Sequence, residues 1–242
     1  SQSEILETVL ESDADKIKTT LDKIDHNAFE LAVNTILNAR NIYIVGIRSC
    51  APLASFLSFY LNYMFDNVRL LQTNSSSELF EQMVRISEHD VIIGISFPRY
   101  SMRTLKALEF ANNRSAKVIT ITDSVHSPMN LYSSCNLIAD SDMASIVDSL
   151  VAPLSVINAL IVALCMKKQK EVAKTLTMLE EIWDEYQVYD NDEIDWGGCE
   201  YAIIIEANGR CQENGIVKIM NVEDTPALIN ELKQNTKWNL EE

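Results

Sequence analysis

Residues 92–101 read Ile-Ile-Gly-Ile-Ser-Phe-Pro-Arg-Tyr-Ser. An apolar run, Val91 to Ile95, stops at Ser96, and Ser101 opens a helical pattern, MRTLKALEFANN. A buried strand that delivers hydroxyls to a helix N-terminus builds an anion site. Unpaired backbone N–H groups and the helix dipole both favour a phosphate or carboxylate there. Arg99 can form planar, charge-assisted bonds to such a group, and Tyr100 can wall the site beside it. The device recurs earlier: IYIVG (42–46) is an apolar strand, Gly46-Ile47-Arg48-Ser49-Cys50 turns, and Pro52 starts a helix. Ser49 and Ser101 are ligand candidates that plain N-capping would explain equally well. Ser96 is the stronger one, because a strand-end residue at this edge faces the crevice. A third stretch, Ser75-Ser76-Ser77-Glu78, spells a capping box; Ser76 and Glu78 are candidates if a side chain here also meets the ligand.

Nothing in the chain spells catalysis. Proton transfer to and from a substrate needs a positioned base and acid. Glu78 and Glu81 stand one turn apart near the right edge, but no histidine occurs between His26 and His89. Walker, Rossmann and nucleophile-triad motifs are absent. The five cysteines (Cys50, Cys135, Cys165, Cys199, Cys211) form no close pair. That odd count fits a reducing compartment better than a disulfide framework. No catalytic residue, metal or cofactor is expected.

The positioning elements follow from periodicity. Residues 3–24 and 27–40 read as helices. Then strands and helices alternate: strand 42–46, helix 51–65, strand 68–72, helix 77–87, strand 90–96, helix 101–113, strand 117–122, a short helix near 127–132, and strand 135–139. Helices 144–167 and 170–187 close the series. Continuous apolar strands (IYIVG, VIIGIS, KVITIT) mark a parallel sheet covered on both faces. The fold class is α/β, a three-layer doubly wound parallel sheet of flavodoxin-like type. After Tyr189 the composition changes: an acidic, glycine-ended linker leads to strand candidates 201–207 and 216–222 and a helix candidate 225–234. This is a small α+β appendage with no catalytic motif.

The chain has 242 residues and a net charge of -15. From Asp190 onward twelve acids face four bases. Such a surface argues against gripping nucleic acid directly. The longest apolar stretch, Leu150 to Met166, holds Pro153, Ser155 and Asn158, and reads as a buried helix rather than a membrane span. With no signal peptide, a cytoplasmic location is expected.

Residues 1–189 resemble the effector half of the RpiR-type (MurR/RpiR) bacterial transcription regulators, a sugar isomerase (SIS) domain. The segments GIRSCAPLASFLSFYLN, ISFPRYSMRTLKALEFANNRSAKVITITDS, SPMNLYSSCNLIA and LEEIWDEYQVY carry the likeness. It implies a phosphosugar-binding domain, dimeric or tetrameric, that reaches DNA only through a helix-turn-helix domain absent from this chain. The implied organisation is a linker helix at 1–25, the phosphosugar-binding domain at 26–189 and an acidic extension at 190–242 outside the resemblance. Self-association is expected chiefly through 3–40 and 144–187. The implied function is sensing of a sugar phosphate that changes subunit arrangement; the alternatives are an aldose–ketose phosphate isomerase and a ligand-free dimerisation domain. Two departures stand out. Where many SIS loops have Gly-x-Gly-Ser, this chain has Gly46-Ile47-Arg48-Ser49. Where many have Ser-x-Ser-Gly-x-Thr, it has Ser96-Phe97-Pro98-Arg99-Tyr100-Ser101. Two glycines have become arginines, which either clamp an anion or pair with local acids such as Glu78 or Asp123 and close the pocket.

Overall fold

A computed structural model describes residues 1–72, 75–142 and 148–188, and the backbone of two short strands at 201–202 and 220–221. The chain divides into two compact units, Ser1–Val172 and Ala173–Glu242.

In the first unit, α1 (Gln2–Lys23) and α2 (His26–Leu37) precede a five-stranded parallel sheet. Its strands are β1 (Ile42–Gly46), β2 (Val68–Leu70), β3 (Val91–Ile95), β4 (Lys117–Thr122) and β5 (Cys135–Ile138), and its order is β2-β1-β3-β4-β5. The helices between them are α3 (Ala51–Leu61), α4 (Ser76–Gln82) and α5 (Met102–Asn112), with short 3-10 turns at Arg48–Cys50 and Pro128–Leu131. α6 (Val151–Lys167) follows the sheet, and α7 (Gln169–Glu185) leads from the first unit into the second. There Tyr201–Ala202 (β6) pairs antiparallel with Met220–Asn221 (β7). The helix expected over 225–234 lies outside the described residues, as does the whole acidic linker at 190–198.

β1 and β3 are buried at every position, as parallel strands covered on both faces must be. β2 is one of the two edge strands and is shorter than expected, ending at Leu70; Arg69 stands exposed in its middle. α4 ends at Gln82, where turn residues replace the rest of the expected helix. α5 buries Thr104, Ala107, Leu108 and Ala111, one helical stripe, against the sheet. Leu108 lies over Gly94, where an added Cβ would stand 2.7 Å from its Cδ2.

A polar knot fastens the amino edge. The Asp90 side chain is fully buried. It accepts from Arg40 Nε (3.1 Å) and Nη2 (2.9 Å), Asn41 Nδ2 (2.7 Å), and the Ser87 N–H (2.8 Å) and hydroxyl (3.1 Å). Burial alone would raise the Asp90 carboxyl. The Arg40, Asn41 and Ser87 donors together outweigh it and hold the group below the ordinary carboxylate value. Segments that enter β1 and β3 are thereby tied together at one end, and the site lies at the other.

Candidate functional site

The chain leaves β1 toward β2 on one side and then returns to place β3 on the other side of β1. Loops therefore diverge at the carboxyl ends of β1 and β3, the crevice where doubly wound sheets bind ligands. Gly46 and Ile95 are register partners, so the Arg48–Ser49 loop and the Ser96–Ser101 loop leave the sheet side by side.

The first loop is tight. A Cβ on Gly46 would meet the Cys50 carbonyl oxygen at 2.6 Å and the Ala54 Cβ at 2.9 Å, so only glycine allows the chain to turn onto α3. Arg48 has φ 60°, the left-handed region that favours glycine. Arg48 and Ser49 are exposed, whereas Cys50 is buried. Burial pushes the Cys50 thiol above its ordinary value, partly offset by hydrogen bonds with the Phe97 backbone and with Ser49. The charge of Asp148 acts on it as well.

In the second loop Ser96 is only 3 % exposed, and its hydroxyl accepts from the Ser101 N–H (3.1 Å). It holds the loop as well as standing at the strand end. Ser101 is the N-cap of α5, accepting from the Thr104 N–H at 3.4 Å. Tyr100 is half-buried and donates to Asp123 Oδ1 (2.8 Å). Burial, followed by the Asp123 bond and charge, pushes its phenol up. Asp123 also accepts from Thr122 (3.2 Å), so the loop after β3 is pinned to the loop after β4. Among the described residues neither Arg48 nor Arg99 forms an ion pair, and Arg99 is exposed.

The third serine stretch follows β2, beside β1. Ser75 is the N-cap of α4, but its side chain makes no capping bond, so the expected capping box does not close; its hydroxyl meets that of Ser77 at 2.7 Å. Ser76 is the first residue of α4, and Glu78 and Glu81 are exposed on it. Gln72 bridges this region to α3 through Ser55 (3.2 Å). Two features were not legible in sequence. One is the Tyr100–Asp123 pin, whose partners stand 23 residues apart. The other is Thr104, fully buried beneath the Ser101 cap, with a hydroxyl that finds no partner among the described residues. Among those residues no group of three or more His, Cys, Asp or Glu is placed to hold a metal ion, and no single helix is long and apolar enough to cross a membrane.

Comparison with known proteins adds to this geometry. Residues 35–163 match the SIS domain. An uncharacterized HTH-type transcriptional regulator of Haemophilus influenzae is 24% identical over 177 residues, 69% of this chain and 60% of that protein. The chain spans 60% and 64% of the length of the two curated regulators it matches. The sugar isomerase domain of an RpiR transcription factor from Sphaerobacter thermophilus is 26% identical, with a TM-score of 0.69, covering 72% of this chain and 97% of that one. The Vibrio vulnificus NanR protein, solved in complex with ManNAc-6P, is 17% identical, with a TM-score of 0.66, covering 75% of this chain and 69% of that one. A phosphoheptose isomerase from Neisseria gonorrhoeae shares the fold at 16% identity, with a TM-score of 0.56, covering 68% of this chain and 98% of that one.

Proposed function

The chain belongs to the SIS domain family, and from that premise we propose that it is the ligand-sensing part of a transcription regulator that binds a sugar phosphate or related anionic sugar. The observation that carries this reading is the register of Gly46 with Ile95. It sets two serine-bearing loops, each running into a helix and each bearing an arginine without an ion pair among the described residues, at one crevice. The hydroxyls of Ser49 and Ser101, with the backbone N–H of Ser49, would receive the phosphate oxygens. Arg48 and Arg99 would clamp the charge, since two guanidinium groups brought to one crevice repel unless an anion lies between them. Ser96 would hold the loop and Tyr100 would wall the sugar. Ser76 and Glu78, beyond β2, would meet the sugar's far end.

Occupancy would change how two or four copies are arranged, and so how DNA-binding domains of the kind named in the relatives are spaced. That requires the ligand to prefer one arrangement. Isomerisation is not part of the proposal. No histidine lies between His26 and His89 to accompany Glu78 and Glu81, and the relatives matched along the chain are named as regulators. The test is calorimetry across hexose and pentose phosphates, ManNAc-6P and sugar acids, with a parallel search for deuterium incorporation at the second sugar carbon. Saturable binding without exchange is expected. No binding at millimolar concentration by folded protein refutes the sensor; exchange abolished by Glu78→Gln or Glu81→Gln makes the chain an enzyme.

A further inference from the structure

The sheet order that builds the crevice also gathers charge at the opposite edge. β1, β3 and β4 are neighbours, so the segments that enter them run side by side. The Arg40 N–H donates to the His89 carbonyl (2.8 Å), and the Lys117 N–H donates to the Asp90 carbonyl (3.0 Å). Arg40, His89 and Lys117 therefore stand at one edge, and all three are exposed. The last turns of α2 complete an open cavity of about 640 Å³ there, with Leu31, Leu37 and Ala39 as its apolar wall. That volume lies in the range of small-molecule sites. The Arg40 guanidinium is held in place: Asp90 accepts from its Nε (3.1 Å) and Nη2 (2.9 Å). No described residue accepts from its Nη1 or from the Lys117 ammonium.

We propose that this cavity binds a small organic carboxylate with an apolar body, at a site separate from the phosphosugar crevice. The charge left available selects the anion. Formally Arg40 and Lys117 balance Glu88 and Asp90 in the lining, but the four are not equally free. The Asp90 carboxylate is buried and already accepts from Arg40, Asn41 and Ser87. Glu88 is exposed beside His89, at 3.6 Å. What remains is one ammonium and one nitrogen of a guanidinium, a match for a single negative charge. Because Asp90 already fixes the guanidinium, a carboxylate bound to it costs little further side-chain freedom. A phosphate dianion would bring a second negative charge toward Glu88 and Asp90 with no further cation to meet it. The apolar wall defines the rest of the molecule. Leu31 is 50 % exposed, and covering it with an apolar group is favourable. The strands keep the two sites apart. Register partners Ile42 and Val91 stand at this end, and Gly46 and Ile95 at the crevice, roughly 13 Å further along.

The experiment uses the whole chain without phosphosugar, which keeps it independent of the sensing proposal. Phenylacetate is the probe, phenylacetamide its uncharged counterpart and inorganic phosphate the more highly charged one. Each is titrated to millimolar concentration while amide NMR shifts are followed. Saturable phenylacetate shifts are expected at residues 38–40, 88–90 and 117, with the other two compounds weaker by about 5-fold or more. Lys117→Gln removes an exposed charge that has no ion pair among the described residues and should weaken phenylacetate about 5- to 10-fold. Leu31→Asp puts an acid on the apolar wall and should abolish binding. Lys106→Gln, exposed on α5 and outside the cavity, should leave it unchanged. No saturable shift, equal binding of phenylacetamide or phosphate, or equal weakening by Lys106→Gln would each overturn the proposal. So would shifts centred on Ser96 and Ser101, which would place the acid in the crevice. Because the comparison of the three compounds needs no substitution, a variant that fails to fold does not protect the proposal.

Discussion

Replacing Arg48 by glycine separates what the residue does for the fold from what it does for a ligand. At φ 60° a non-glycine residue is held in a conformation that costs about 1–2 kcal/mol. Glycine removes that strain and loses about 0.5–1 kcal/mol to its freer unfolded chain. The guanidinium is exposed and has no ion pair among the described residues, so its removal forfeits nothing further in the folded state. The expected net change is a gain of about 0.5–1 kcal/mol, or roughly 1–4 °C in Tm for a domain of this size. A charge-assisted bond to a phosphate oxygen contributes about 1.5–3 kcal/mol, so affinity for the best phosphosugar should fall about 10- to 150-fold. Arg48→Ala keeps the strain and removes the charge. It should lose the same affinity without the gain in Tm, and its binding should depend less on salt. Thermal unfolding without ligand and calorimetry with it read both quantities. A Tm lower by several degrees in Arg48→Gly would mean that the arginine supports the fold. Unchanged affinity would leave the strained conformation without a functional reason.

Asp90→Asn should lower stability by about 2–3 kcal/mol, because the donors of Ser87 and Asn41 lose a charged, buried acceptor; chemical denaturation reads the difference. The folded Asp90 carboxyl is held below its unfolded value. Its contribution is therefore complete above an ordinary carboxylate pKa of about 4 and disappears as pH falls through the lower, folded value. The gap between wild type and variant should be level from pH 5 to 8 and close in stronger acid; a gap that changes near neutrality would point to a different group. Gly46→Ala should cost about 1–3 kcal/mol by overpacking, since the new methyl meets a backbone oxygen at 2.6 Å. It should also weaken phosphosugar binding by displacing the Arg48–Ser49 loop. A variant as stable as wild type would show that the turn has room the structure does not display.

Local pattern made some of this legible and not the rest, and the division follows the range of the physics involved. β1 and β4 run over the residues read from sequence and β3 within one residue, because a strand buried on both faces must be apolar throughout. β2, at the sheet edge, has no such constraint and was read too long. The end of α4 at Gln82 was missed for a related reason: helical spacing continues through residues that the structure turns. Ser96 shows the limit at the site. Its place at a strand end is visible in sequence, but its hydroxyl's engagement with the Ser101 N–H depends on how the loop folds back. The open capping box at Ser75 makes the same point, since a motif supplies the atoms without the geometry. Tyr100 finding Asp123 joins separate strand–loop units and follows only from strand order. Arg48 is the informative exception. A family pattern with glycine there already implied a backbone that glycine prefers, and the structure places an arginine in that conformation. A residue that opposes its own backbone preference persists when surrounding structure enforces it or function rewards it. Gly46 enforces the turn from behind, by bringing Cys50 and Ala54 too close for any side chain. The same tight seating joins the Arg48 loop to α3 without slack, so a displacement of one is passed to the other.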